Sequence, residues 1–265
     1  MRKLLIVGNW KMHLNTHEAS LLVHRLEQRI TAHRSIEVVL APSVLSLQPL
    51  SLEIDRRKFR LAAQDAFYKD EGAYTGEVSF TMLRDLVHYA IIGHSERRIY
   101  FNESLEMVRD KVQAAVRNGI VPILCIGETK EERRAGETKQ VIHDQLTTAI
   151  SNLTSEDIAN IVIAYEPVWA IGKGDPAKPR EIEDAINFIR HNISELYGQQ
   201  SSEDVRILYG ASIAPEFVGG ILSLSCGVDG LLVGGASLNY HEFSAIVSAA
   251  QNLLHERPDD ERRES

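Results

Sequence analysis

Three residues with different chemistry lie at, or just beyond, the ends of apolar, strand-like segments. Glu166 ends the run IVIAYE, His94 ends YAIIGH, and Lys11 lies two residues after Asn9, which ends LLIVGN. A carboxylate and an imidazole suit general acid–base catalysis, and an ammonium suits a developing oxyanion. We expect burial at an apolar rim to raise the pKa of Glu166, as suits a base. We expect His94, ahead of a short helical turn, to stay neutral, because a helix N-terminus disfavours positive charge.

Each of these residues also has an ordinary structural interpretation when it is taken alone. Lys11 would be a solvated surface lysine, His94 a hydrogen-bonded residue at a strand–helix junction, and Glu166 half of a buried ion pair. Their combination therefore predicts a catalytic site only if the fold brings these strand ends to one surface.

Eight apolar segments that could form strands recur at roughly 30-residue spacing, about the length of one βα unit. They are apolar throughout, as in parallel strands covered on both faces. The segments occupy residues 4–9, 36–41, 59–64, 89–94, 120–126, 161–166, 205–210 and 229–235. Amphipathic helical stretches lie at 17–31, 104–118, 136–151, 180–197 and 239–254. Eight such units predict an α/β protein, a closed (β/α)8 TIM barrel, whose strand ends meet at one rim.

A doubly wound open sheet is the alternative, but no GxGxxG follows the first segment, and eight units exceed what that fold needs. We expect a single catalytic domain over residues 1–254. The tail 255–265, HERPDDERRES, is charged, and we expect it to be disordered.

Two short segments that contain glycine predict an anion site at the same rim. They are Tyr209-Gly210-Ala211-Ser212 and Gly234-Gly235-Ala236-Ser237, after the seventh and eighth segments. Backbone N–H groups approach an anion closely where side chains are absent, and barrels often bind phosphate at these two loops. Gly172, in the loop after Glu166, could add a further N–H.

The composition excludes several classes of partner. The net charge of −8 provides no basic surface for nucleic acid or an anionic membrane. The two cysteines, Cys125 and Cys226, have no metal-binding spacing, and no cofactor motif is present. We therefore expect no metal, no cofactor and a reducing, cytoplasmic location. The apolar run at the start is too short for a signal peptide.

Five motifs together resemble the triosephosphate isomerase family. They are GNWKM (8–12), IIGHSERR (91–98), CIGET (125–129), AYEPVWAIG (164–172) and DGLLVGGASL (229–238). The resemblance spans about residues 3–254 and has the motifs in family order. It implies an aldose–ketose isomerase that interconverts dihydroxyacetone phosphate and D-glyceraldehyde 3-phosphate through an enediolate. Glycolysis, gluconeogenesis and the pentose phosphate pathway are the implied setting.

The resemblance also implies roles for individual residues. Glu166 would be the base, His94 the neutral electrophile, and Lys11 with Asn9 would stabilise the oxyanion, with Glu96 supporting them. The phosphate would bind backbone N–H groups at Gly172, Ser212, Gly234 and Gly235. A mobile lid would comprise Pro167, Val168, Trp169, Ala170, Ile171, Gly172, Lys173, Gly174 and Asp175.

The family is usually dimeric, and the resemblance implies a homodimer in which Gln64 and Thr75 contact the partner. The sequence departs from the family at a few positions near these features. The lid reads Lys173-Gly174-Asp175 where Thr-Gly-Lys is usual, and Ala211 replaces a glycine. Asp65 and His13 each occupy a position where asparagine is common in the family. Alanine resists backbone angles that glycine adopts, so we expect the lid energetics to differ.

Three other functions remain open from the sequence. The altered lid and Ala211 border the phosphate end, so an isomerase of a four-carbon ketose phosphate is one alternative. An aldolase with Lys11 as the Schiff-base lysine is another. A barrel that serves only as a binding scaffold is the third.

Overall fold

The computed structural model describes residues 3–172 and 176–256. Eight parallel strands form a closed barrel in sequence order, with β1 paired to β8. The strands are β1 Leu4–Asn9, β2 Ile36–Ala41, β3 Phe59–Ala63, β4 Tyr89–Ile92, β5 Val121–Ile126, β6 Val162–Tyr165, β7 Arg206–Tyr209 and β8 Gly230–Val233. The predicted fold class is therefore confirmed.

Helices surround this barrel in the described part of the chain. They are α1 Thr16–Arg29, α2 Val44–Glu53, α3 Phe80–Leu83, α4 Ser95–Tyr100, α5 Leu105–Arg117, α6 Lys130–Ala135, α7 Thr138–Ile150, α8 Ser155–Ile158, α9 Pro179–Tyr197, α10 Gln199–Asp204, α11 Pro215–Leu222 and α12 Tyr240–Glu256. Among them, no helix is long and apolar enough to cross a membrane.

Several of these helices begin where the sequence provides a capping side chain. Asn15 and Thr129 each form a capping box with a glutamate three residues on, Glu18 and Glu132. The hydroxyl of Ser104 likewise accepts from a backbone N–H in the first turn of α5. Each cap satisfies N–H groups that the helix leaves unpaired, which sets where the helix starts.

The eight predicted strand segments all contain a strand, but most of the strands end earlier than predicted. The segment 89–94 shows why, since β4 ends at Ile92 and Gly93 adopts φ +72°. A left-handed residue ends the extended ladder and turns the chain toward α4. The last helix, α12, continues two residues beyond the predicted domain end at 254, and residues 257–265 lie outside the described residues.

Two hydrophobic clusters hold the barrel together, one inside it and one around it. The inner cluster fills the barrel and combines small and β-branched side chains, such as Val7, Val39, Ala164 and Cys125, with leucines and Tyr89. The larger cluster packs the outer faces of the strands against the helices. Every strand is thus buried on both faces, which explains why the predicted segments are apolar throughout.

Closure of the barrel depends on a glycine at the start of β8. Gly230 pairs with Leu5 of β1, and a Cβ atom at Gly230 would lie 1.9 Å from the Leu5 carbonyl oxygen. That distance is far below any van der Waals contact, and the oxygen belongs to the backbone, so it cannot move aside cheaply. Only glycine fits here.

We expect Gly230→Ala to lower the free energy of unfolding by about 3 kcal/mol or more, because the methyl group forces β8 away from β1. Urea denaturation followed by circular dichroism measures this change. Gly219→Ala is the control, since Gly219 lies in α11 with open space around it and alanine favours a helix by up to about 1 kcal/mol. Equal stability of the two variants would contradict the role assigned to Gly230.

Candidate active site

A cavity of about 320 Å³ opens among the loops that follow the strands. Four of the five predicted catalytic residues line it, namely Asn9, Lys11, His94 and Glu166. All four predicted phosphate-binding residues line it as well: Gly172, Ser212, Gly234 and Gly235. Residues that are far apart in sequence thus meet because parallel strands end at one rim.

Glu166 and His94 form the most buried polar contact of the cavity. Glu166 follows β6 directly and is 2% exposed, and its Oε1 lies 3.2 Å from Nε2 of His94. The other carboxylate oxygen, Oε2, is buried and has no hydrogen-bond partner. A buried anionic oxygen without a donor is costly, so it is available to accept a proton.

The position of Glu166 requires glycines on two sides. A Cβ at Gly127 would lie 1.9 Å from the Glu166 carbonyl oxygen, and one at Gly210 would lie 2.9 Å from the Glu166 Cγ. The first glycine lets β5 and β6 approach, and the second leaves space for the carboxylate side chain. Sequence reasoning missed both roles, although Gly127 lies in the CIGET motif and Gly210 in a predicted anion loop.

His94 is bonded through both ring nitrogens. It is the N-cap residue of α4, and its Nδ1 accepts from the backbone N–H of Glu96 at 3.3 Å. Since the Nδ1 lone pair is occupied, the proton lies on Nε2, which donates toward Glu166. We therefore assign the Nε2–H tautomer to the neutral ring; the neutral state itself stays a prediction from the sequence.

The close contact between Glu166 and His94 shifts the pKa values of both groups. Burial raises the pKa of Glu166, but the His94 ring together with the charges of Arg98 and Lys11 outweighs burial and lowers this pKa below its ordinary value. Burial lowers the pKa of His94, but the carboxylates of Glu166 and Glu96 together outweigh burial and raise this pKa. The Glu96 N–H on Nδ1 opposes this second effect, because a protonated ring would lose that bond. The predicted rise in the pKa of Glu166 is therefore wrong for this arrangement, in which His94 is in direct contact.

Lys11 is held by its backbone as well as by its side chain. Its φ of +52° is left-handed, which a lysine adopts at a cost. The Asn9 Oδ1 accepts from the Lys11 N–H at 3.0 Å, and the Gln64 side chain donates to the Lys11 carbonyl at 2.8 Å. The Lys11 Nζ donates to Glu96 Oε1 at 2.6 Å. Glu96 thus stands behind the lysine and outside the cavity lining, consistent with a supporting position.

The glycine-rich end of the cavity contains little side-chain bulk. A Cβ at Gly235 would meet nothing within 4 Å, and one at Gly234 would lie 3.7 Å from the Lys11 side chain. The Ser212 hydroxyl donates to the Ala170 carbonyl at 2.7 Å. Ala211 is buried without a positive φ, so alanine fits the loop conformation described here without backbone strain.

The first part of the predicted lid is docked on the barrel rim. Val168–Ala170 forms a 3₁₀ turn after Pro167, and the Trp169 indole N–H donates to Glu128 at 2.8 Å. Gly172 adopts φ +69°, which explains the glycine. Lys173, Gly174 and Asp175 lie outside the described residues. Beyond them, the Ala177 N–H donates to the Tyr209 hydroxyl at 2.9 Å.

Two lid anchors were not predicted from the sequence. Glu128 is fully buried and accepts from both Trp169 and Tyr165. Burial raises the pKa of Glu128, and these donors oppose the rise. The Arg133 guanidinium lies 3.8 Å from the centre of the Trp169 ring. Glu128 lies in CIGET, so the motif marked the position but not the partner.

A buried ionic cluster lies behind Gln64 and α4. The Lys111 ammonium, 2% exposed, contacts the Asp65 carboxylate at 2.8 Å and the Glu103 carboxylate. Arg97 Nε lies 2.9 Å from Asp65 Oδ2. Burial raises the pKa of Asp65 to about 6, although Lys111 and Arg97 oppose the rise. An uncharged asparagine at this position would carry no such penalty.

Fold and cavity together define a class of enzyme. A (β/α)8 barrel has at its carboxyl rim a buried carboxylate–imidazole pair, a lysine and a glycine-lined pocket. This arrangement suits proton transfer on a small phosphorylated substrate.

Comparison with known proteins identifies the family. The family model described as "Triosephosphate isomerase" matches residues 4–250. The triosephosphate isomerase of Citrifermentans bemidjiense is 46% identical over 248 residues, which cover 93% of this chain and 98% of the relative. That of Thermoanaerobacter sp. (strain X514) is 43% identical over 249 residues, covering 94% and 100%. The chain belongs to the triosephosphate isomerase family and is an aldose–ketose isomerase, which confirms both predictions.

We expect Asp65→Asn to stabilise the protein more at pH 7.5 than at pH 5. The ordinary pKa is 3.8 and the folded value about 6, so the folded state binds the proton more tightly. The free energy of unfolding of the wild type therefore falls as pH rises from about 4 to about 6, and it stays at the lower value above pH 6. The difference between the two pH values should be about 1 kcal/mol in the unfolding free energy, measured in urea.

Asp70→Asn is the matched control for this prediction. Asp70 is half exposed and pairs with Arg117, which lowers its pKa below 3.8. It is ionised throughout this pH range in both states, so the effect of Asp70→Asn should be the same at both pH values. A pH-independent effect of Asp65→Asn would contradict the shift assigned to it.

Proposed function

We propose that the pair formed by Glu166 and His94 carries the interconversion of dihydroxyacetone phosphate and D-glyceraldehyde 3-phosphate. The observation that supports this most directly is the buried Oε2 of Glu166, which lines the cavity without a hydrogen-bond donor. Such an oxygen suits a general base that removes a proton from carbon.

The reaction then proceeds by proton transfer alone. Glu166 takes the proton from C1 of dihydroxyacetone phosphate, and the C–H electrons form the C1=C2 bond of an enediolate. The negative charge on O2 is stabilised by the Lys11 ammonium and the Nε2–H of His94. His94 moves a proton between O2 and O1, and Glu166 returns its proton to C2 to give the aldehyde.

Substrate insertion explains how a carboxylate with a lowered pKa becomes a base. In the present contact the His94 ring holds the Glu166 pKa down against burial. A substrate between the two side chains takes over the Nε2–H of His94 and so removes the largest of the influences that oppose burial. Burial alone raises the pKa of the carboxyl and so strengthens the base.

We propose that the phosphate is held by backbone N–H groups of Gly172, Gly234 and Gly235 and by Ser212. These residues line the end of the cavity where side-chain bulk is least. We infer that the predicted lid closes over this end and excludes water, which protects the enediolate from losing phosphate. The contacts of Trp169 with Glu128 and of Ala177 with Tyr209 support a closed position of the described lid residues.

We also propose that the chain forms a homodimer through the loops that follow β1 to β4. Of the eleven large hydrophobic side chains that are exposed in the described residues, eight lie in these loops, in the first turn of α2, or in the short helices α3 and α4, which indicates an interface. They are Met12, Val44, Leu45, Tyr74, Met82, Ile99, Tyr100 and Phe101. Thr75 is exposed near Tyr74 and could reach the partner.

In this proposal, Gln64 supports the dimer loop through hydrogen bonds within its own subunit. Its side-chain amide donates to the carbonyls of Lys11 and Ala41. It therefore couples the base of the loop that contains Thr75 to the backbone of Lys11. Loss of the dimer would loosen this loop and lower activity.

A reducing, cytoplasmic location is the remaining part of the proposal. Both cysteines, Cys125 and Cys226, are buried and unpaired, as is usual where thiols stay reduced.

We expect Glu166→Gln to lower kcat by at least ~10²-fold with a small change in KM, because the amide cannot accept the proton. A coupled assay with glyceraldehyde 3-phosphate measures both constants. Glu131→Gln removes an exposed carboxylate in α6 and should leave them unchanged. A loss below tenfold for Glu166→Gln would refute the base assignment.

We expect the wild-type particle to have about twice the 29.7 kDa chain mass by light scattering. Thr75→Arg should give the mass of one chain and lower kcat/KM by roughly tenfold or more, since a loosened rim misplaces Lys11. Leu196→Arg is the control, since Leu196 is exposed near the end of α9, away from these loops. A wild-type mass of one chain with full activity would exclude the dimer.

A further inference from the structure

A second cavity, of about 400 Å³, lies at the opposite end of the barrel from the catalytic rim. Its walls come from the amino-terminal ends of β2 to β5 and from the segments that lead into them. Catalytic loops contribute nothing to it, so whatever it binds is separate from the triose phosphate site.

Three arginines converge on this cavity: Arg56, Arg60 and Arg84. Within the described residues, none of them has a carboxylate oxygen within 4.0 Å, unlike Arg57 next to them, which pairs with Asp55. A guanidinium that lacks a counter-anion at the mouth of a cavity is a donor for one.

The three guanidinium groups are held in place by neutral acceptors. Arg56 donates to the Ser51 carbonyl at 3.3 Å and Arg84 to the Asn118 Oδ1 at 2.6 Å. Arg60 lies 3.0 Å from the His88 Nε2. Each guanidinium has five N–H groups, so these contacts orient the side chains and leave donors for a ligand.

The electrostatic surroundings of His88 favour the neutral imidazole, which can accept a hydrogen bond from Arg60. Burial lowers its pKa, and the charge of Arg60 lowers it further. A neutral imidazole can accept from Arg60 and adds no competing counter-charge. It thus orients this guanidinium without neutralising it.

The acids near the cavity leave a positive excess. Glu37 lines it, but its Oε2 accepts from the Tyr89 hydroxyl at 2.9 Å and pairs with Arg206 at 3.2 Å. Asp85 is the other carboxylate of the lining. With Glu37 compensated by Arg206, three arginines face one acid in a chain whose net charge is −8. A local positive site on an acidic protein concentrates small anions there.

We propose that this cavity binds a small molecule that carries phosphate. Guanidinium groups donate two parallel hydrogen bonds to a phosphate, which favours phosphate over a spherical anion. The volume falls in the range of small-molecule sites and exceeds what a single phosphate fills. The ligand class is therefore a phosphorylated metabolite or a diphosphate, bound at the amino-terminal end of the barrel.

Isothermal titration with inorganic pyrophosphate at constant ionic strength tests this proposal. We expect two sites per chain, of which triose phosphate displaces only one. Arg56→Gln and Arg84→Gln should each weaken the other site about tenfold, the scale of a charged hydrogen bond. The adjacent Arg57→Gln removes the same charge from the same segment and should leave that site intact. All three variants should retain wild-type kcat/KM, because none lies near the catalytic rim.

Two outcomes of the titration would overturn the proposal. One is a single pyrophosphate site that triose phosphate fully displaces. The other is equal weakening by Arg57→Gln and Arg56→Gln, which would mean diffuse surface charge only. Modification of the wild-type protein with phenylglyoxal gives a second readout that needs no variant. Pyrophosphate should protect Arg56 and Arg84 and leave Arg57 reactive, and equal reactivity of all three would also refute the site.

Discussion

Closure of the parallel ladder between β1 and β8 is the constraint on which the catalytic rim depends. It places Asn9, the last residue of β1, and Lys11 just after it beside Gly234 and Gly235, which follow β8. The ladder closes only because Gly230 has no side chain to meet the Leu5 carbonyl. The residues proposed for charge stabilisation and those proposed for phosphate binding therefore share one cavity, because two chain segments more than 200 residues apart form hydrogen bonds.

The buried carboxylate of Glu166 is only partly compensated by its surroundings. Glu166 is withdrawn from water in space left by Gly127 and Gly210; the His94 imidazole contacts its Oε1, and Arg98 and Lys11 contribute positive charge nearby. That imidazole also lines the cavity, so a substrate that takes its N–H leaves the carboxylate less compensated. An isolated buried acid would neutralise itself, and a fully paired one would be inert. Glu166 lies between these limits because one of its two oxygens has a partner.

Local strain and lid contacts depend on the same supports. Lys11 keeps a left-handed backbone because Gln64 and Asn9 bond to it from both sides. Trp169 donates to Glu128, in the loop that follows β5, and Ala177 donates to Tyr209 at the end of β7. The departures from the family fall around these supports. Ala211 fits its loop without strain, whereas Asp65 adds a second carboxylate to the buried Lys111 cluster and titrates near pH 6.

The sequence by itself determined the eight apolar segments, the barrel and the motifs that place Glu166, His94 and Lys11 at strand ends. Apolar runs and glycines are local signals. A strand that is buried on both faces requires apolar residues along its length, and a left-handed turn favours glycine at that position. Only the tertiary structure decided the direction of the Glu166 pKa, the lid anchors Glu128 and Arg133, and the arginine cavity at the far end. Each of these depends on distances between groups from different βα units, and electrostatic and hydrogen-bond energies change steeply with such distances.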